Sequence, residues 1–168
     1  MRTRQTIVVI GATGSMGTAI AKSLSKGNYR LLLFTSDKSK LKDLQKEIIA
    51  TTPGADVEPI SCSYTASWEA DVIIVAVPFA MEKEVADKIR EVANQKIVIS
   101  IANPLNETYD ALVTAPDTSA AEELQKLLPT LGMTLVEAAA PRSVDVSSAA
   151  RSLIGKVDVI YTNTDNNV

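Results

Sequence analysis

The sequence predicts an α/β protein with a doubly wound, mostly parallel sheet in a single domain. Three observations predict it: short β-branched apolar runs, amphipathic stretches between them, and glycine or proline at the junctions. Strands apolar on both faces need cover on both sides, which the intervening helices supply. A length of 168 residues suits one domain, expected over residues 1–162 with a polar tail at 163–168.

The elements follow in order. Thr6–Ile10 (TIVVI) reads as a buried strand ending at Gly11. From Ser15 to Ser25 a helix is expected, with Met16, Ile20 and Leu24 four apart on one face, closed by Gly27-Asn28 in the left-handed conformation. Tyr29–Phe34 is the second strand. Lys38–Ala50 places Leu41, Leu44 and Ile48 on one helical face, and Thr51-Thr52-Pro53-Gly54 turns the chain. Val57–Ser61 is a short third strand, and Asp71–Val77 is the fourth, stopped by Pro78. Val85, Ile89 and Val92 carry a helix before the strand Lys96–Ile101. Ser119 to Glu122 fits a capping box opening a helix through Leu128. Met133–Val136 and Val157–Tyr161 are later strands, with 144–153 helical between them.

Composition excludes several classes of function. Seventeen Lys and Arg against twenty Asp and Glu leave a net charge of −3, without the positive field that nucleic-acid binding needs. Histidine is absent, which removes the usual general base and metal ligand. Cys62 is the single cysteine, so no internal disulfide or cysteine-based metal cage forms, and no metal site is expected. Residues 7–11 are too short for a secretory core and Val72–Val77 too short to span a bilayer, so a cytoplasmic protein without a membrane partner is expected. Chemistry without histidine points to a cofactor.

The segment Gly11-Ala12-Thr13-Gly14-Ser15-Met16-Gly17 lies between the first strand and the first helix, where a glycine pattern carries weight. It is GxxGxxG, with Ala12 where GxGxxG has a glycine. Glycine lets a diphosphate approach, and the amides from about Gly14 to Gly17, with the positive end of the helix dipole, would hold it. The fold is then of the Rossmann, dinucleotide-binding type. After the second strand, the acid that would bind the 2′-hydroxyl of NAD is missing near Phe34 or Thr35. Thr35, Ser36, Lys38 and Lys40 instead offer hydroxyls and cations, which favours NADP over NAD, while Asp37 is placed to cap the next helix.

Together, IGATGSMGTAIAKSL, ADVIIVAVPFAMEKEV, KIVISIANPL and TSAAEELQKLLP resemble the coenzyme-F420-dependent NADP reductase family, over roughly residues 7–136. The resemblance implies hydride transfer between NADP(H) and a deazaflavin, or a flavin, as second substrate. It implies a small-molecule partner and is compatible with a homo-oligomer. It places the nucleotide phosphates on Thr13, Gly14, Ser15 and Met16, and the 2′-phosphate on Thr35, Ser36 and Lys40, with Lys38 standing in for a missing arginine. The nicotinamide would lie along Val77, Pro78 and Phe79 and beside Ala102, Asn103 and Pro104. Ala138-Ala139-Ala140-Pro141 replaces the family's Ala-Phe-Asn-Thr, and the chain ends at Val168, before the helices that complete the family's second-substrate site.

Other constellations read as structure. Glu82, Glu84, Asp87 and Glu91 suit an exposed helix face; Tyr64 and Trp68 are expected in a loop, packed on the sheet edge; Cys62 is expected as a small buried hydrophobe; Arg142 and Arg151 are expected to be solvated. No catalytic acid or base is assigned, because hydride transfer between a nicotinamide and a flavin-like ring needs none at the reacting carbons. Two alternatives remain: a non-catalytic NADP(H)-binding module or sensor, and an atypical short-chain reductase. The second is disfavoured, since Tyr29, Tyr64, Tyr109 and Tyr161 each lack a lysine four residues on.

Overall fold

The computed structural model describes residues 4–102 together with Ser148, Arg151 and Ser152. Five strands, β1 (Gln5–Ile10), β2 (Tyr29–Phe34), β3 (Asp56–Pro59), β4 (Val72–Val75) and β5 (Ile97–Ser100), form one sheet. Their order is β3-β2-β1-β4-β5 and every neighbouring pair is parallel. The chain runs outward from β1 to β3, then returns to place β4 on the other side of β1. That reversal puts a crevice at the carboxyl ends of β1 and β4. Register keeps its rim level: Ile10 pairs with Phe34 on one side and with Val75 on the other.

Alternation along the strands divides the core in two. Ile7, Val9, Leu31, Leu33 and Ile74 pack on the face that also buries Ala21, Leu41, Leu44 and Ile48, from helices α1 (Ser15–Leu24) and α2 (Ser39–Thr51). Val8, Ile10, Leu32, Ile73 and Val75 pack on the other face, with Ala66 of α3 (Ser63–Glu69) and Ile89 of α4 (Phe79–Ile89). Each large aliphatic side chain buried this way contributes about 1.5–3 kcal/mol, more than the propensity differences within any one element. Among the described residues the five strands expected there and the expected face of α2 are present, with strand ends shifted by one or two residues.

Four details differ from expectation. First, α1 buries Gly17 and Ala21, while Ile20 and Leu24 are partly buried and Met16 is 58% exposed at the crevice rim. Second, α1 ends on Ser25 in the right-handed conformation, and positive φ among the described glycines occurs at Gly11 and Gly54, not Gly27. Gly27 is required by packing instead, because a Cβ there would lie 2.5 Å from the Tyr29 ring. Third, residues 63–69 are helical rather than a loop, and Tyr64 and Trp68 are exposed on α3 instead of packed on the sheet. Fourth, Cys62 is exposed; the Thr65 amide and hydroxyl pull its thiol pKa down.

The helix carrying Val85, Ile89 and Val92 ends at Ile89 and tightens into a 3-10 turn over Arg90–Val92. Within 144–153, Ser148, Arg151 and Ser152 are helical and exposed. The expected elements at 119–128, 133–136 and 157–161, the tail 163–168, Arg142 and the Ala138–Pro141 segment lie outside the described residues.

Candidate functional site

The turn after β1 is built by close backbone approach. Gly11 has φ +85°, and a Cβ on it would sit 2.2 Å from the Ala76 carbonyl oxygen at the end of β4. Its N–H and that of Ala12 both donate to the Phe34 carbonyl, at 2.8 and 3.0 Å. Gly17 is buried, and a Cβ there would lie 2.2 Å from the Gly11 carbonyl oxygen. These two glycines let helix, turn and neighbouring strand touch.

Gly14 is different. It has an ordinary φ of −71°, is exposed, and a Cβ on it would meet only the Gly11 carbonyl oxygen, at 3.4 Å. Among the described residues nothing demands a glycine there. Its N–H donates to the Gly11 carbonyl at 3.0 Å, which corrects the expected donor set: Gly14 closes the turn instead of offering its amide. It caps α1 without a side chain, so the amides of Ser15, Met16 and Gly17 form the uncapped first turn beside an open approach. Thr18 steadies the turn by donating its hydroxyl to the Ala12 carbonyl at 3.0 Å.

The structure brings the end of β2 to this turn. The Thr13 hydroxyl donates to Thr35 Oγ1 at 3.0 Å, and Thr35 is buried. Ser36, Lys38 and Lys40 are exposed beside it. A hollow of about 220 Å³ between α1 and α2 is lined by Thr13 and Thr18 on one side and by Lys40, Asp43, Leu44 and Glu47 of α2 on the other. Asp37 accepts the Ser39 amide at 3.2 Å and the Ser39 hydroxyl at 2.6 Å; α2 starts at Ser39, one residue later than the sequence suggested, with Lys38 at the N-cap position and Asp37 bonding from the residue before it. These bonds hold its carboxyl below the usual aspartate range, with the Lys40 ammonium, 3.4 Å away, adding to the effect.

Across the crevice, Val77 is half-buried against the core, Pro78 is exposed, and Phe79 is half-buried where α4 starts. Pro78 is extended, with ψ 146°, and its carbonyl accepts the Met81 amide at 2.9 Å. Beyond β5, the Ile101 amide donates to the Val75 carbonyl at 3.2 Å and Ala102 is buried; Asn103 and Pro104 lie outside the described residues. The two strand ends thus form one wall. Sequence reasoning missed one contact there: Ser100 donates its hydroxyl to Glu82, which is half-buried and not on an exposed face. Glu84, Asp87 and Glu91 are exposed as expected.

A family model described as NADP oxidoreductase coenzyme F420-dependent matches residues 6–104, from β1 through β5. The chain belongs to this family. A second model, ABC transporter substrate binding protein, matches residues 81–168; its first part, 81–102, carries α4 and β5 of the sheet just described. An F420-dependent NADP reductase of Methanocaldococcus jannaschii is 29% identical over 129 residues, 73% of this chain. A glycerol-3-phosphate dehydrogenase [NAD(P)+] of a Thermoanaerobacter species is 31% identical over 102 residues, 55% of this chain. The chain spans 57% and 29% of these relatives' lengths. A solved structure assigned as an F420-dependent NADP-reductase from an Arthrobacter species aligns over 95% of this chain and 84% of its own, at 19% identity and TM-score 0.59. That alignment shows the Rossmann-type fold, and the family model supplies the NADP oxidoreductase family. No helix among the described residues is long and apolar enough to cross a membrane.

Proposed function

We propose that this chain binds NADP(H) across the turns after β1, β2 and β4 and serves hydride transfer with a flavin-like or deazaflavin small molecule. The observation that carries the reading is Gly14: an exposed glycine that packing among the described residues does not require, beside three uncapped amides. A side chain there would occupy the approach that a diphosphate needs, so the cradle fits the nucleotide. The Ser15, Met16 and Gly17 amides would hold the phosphates, with Gly11 and Thr13 shaping the turn. Thr35, Ser36, Lys38 and Lys40 would meet the 2′-phosphate. Val77, Pro78 and Phe79, with Ala102 and Asn103, would flank the nicotinamide, which when bound supplies the hydride chemistry. The residues' work is to orient the ring and shield it from water; they move no proton.

Fluorescence titration with NADPH and NADH tests the nucleotide. NADPH should bind about tenfold tighter or more, a difference of about 1.4 kcal/mol or more. Lys38→Glu with Lys40→Glu should bring the two to parity, and equal affinity in the wild type would remove the NADP assignment. NADPH oxidation by a deazaflavin or flavin supports the reductase. Tight binding without turnover on flavins, deazaflavins and ferric chelates would leave a nucleotide-binding module.

A further inference from the structure

Three acids of α4 behave in two ways. Glu84 pairs with Lys88, and Asp87 with Lys83 and Arg90, all on the surface. Glu82 turns toward the sheet. Burial raises its carboxyl pKa, and the hydrogen bond from Ser100 only partly opposes this. A half-buried carboxyl whose partner among the described residues is one hydroxyl is an expensive way to fill space that a leucine would fill favourably. Its connections point to another role. Ser100, the last residue of β5, donates to Glu82 Oε1 and accepts the Ala102 amide at 3.3 Å. Glu82 lies in the first turn of α4, four residues after Pro78. One hydrogen-bonded path therefore joins the first turn of α4, which follows directly on the loop after β4, to the backbone after β5.

We propose that Glu82 is a positioning residue for the nicotinamide end of the crevice: through Ser100 it fixes the Ala102 amide and the spacing between the loops after β4 and β5. This rests on the reading above that those two loops flank the nicotinamide. Glu82 touches neither cofactor nor substrate in this scheme. Its effect falls on the ring end of the nucleotide and leaves the adenosine end alone, because Thr13, Thr35 and Lys40 lie on the other side of β1.

The test compares two probes, NADPH and 2′,5′-ADP, which carries the adenosine end without the nicotinamide. Glu82→Ala and Ser100→Ala should each weaken NADPH about fivefold to tenfold and leave 2′,5′-ADP unchanged, as loss of one charge-assisted hydrogen bond predicts. The double variant should be no weaker than either single one, since both break the same path. Glu82→Gln should restore NADPH affinity, because its amide oxygen still accepts from Ser100. Melting temperatures check folding, and Ser100→Ala carries the test if Glu82→Ala is unstable. Unchanged NADPH affinity in both single variants overturns the proposal, as do equal losses for the two probes. A wild type that binds neither probe defeats the nucleotide reading itself, a result distinct from these.

Discussion

The two halves of the crevice are made differently. Around β1 and β2 the construction is backbone on backbone: Gly11 against Ala76, Gly17 against Gly11, and two amides on one Phe34 carbonyl. Around β4 and β5 a side-chain bridge is added to the backbone pairing, with Glu82 and Ser100 joining a helix and a strand end. The contacts at Gly11 and Gly17 leave no room for an added atom, so that turn admits little change. A side-chain bridge can be lengthened, removed or titrated, so the second half can be tuned without unfolding the sheet.

The largest effect should come from breaking the first half. Gly11→Ala places a Cβ 2.2 Å from the Ala76 oxygen at a positive φ, so strand ends or turn must move. A loss of about 3 kcal/mol or more is expected, read as a fall in the denaturant midpoint. The glycine three residues on sharpens the contrast. Gly14→Ala, with one contact at 3.4 Å and an ordinary φ, should change stability by no more than about 1 kcal/mol. Its NADPH affinity should still fall about tenfold, roughly 1.4 kcal/mol, in the same titration. Equal destabilisation by both variants would mean that Gly14 serves packing after all.

Much of this half was legible in the sequence. The β1 strand, the turn and α2 follow from periodicity and glycine placement, and Leu41, Leu44 and Ile48 are buried as their spacing implied. Helix α3 was not, because its buried face is Ser63, Ala66 and Ser67, small or polar residues that leave no apolar period. The same fact turns Trp68 outward, where packing on the sheet edge was expected. Gly27 was readable as necessary but not for the right reason, since a ring two residues away leaves no trace in a turn pattern. The Thr13–Thr35 and Glu82–Ser100 bonds join residues 22 and 18 apart, and only the register of parallel strands brings them together.

The smallest effect belongs to the tunable half. Burial raises the Glu82 pKa, so the folded protein holds that proton more tightly than the unfolded chain does. The native state then binds more protons across the window between the unfolded glutamate pKa and the raised folded value, and stability falls as pH rises through it. Glutamine does not titrate. The stability of Glu82→Gln relative to wild type should therefore be unchanged by pH at the acid side of that window, increase across it, and level off above. Denaturant midpoints at a series of pH values read this difference. Asp37 and Asp87, whose lowered pKa values make both proteins lose stability on acidification, cancel in the comparison. A flat difference would mean that Glu82 is as well solvated as its neighbours on α4, and the two halves would then differ in chemistry but not in their response to protons.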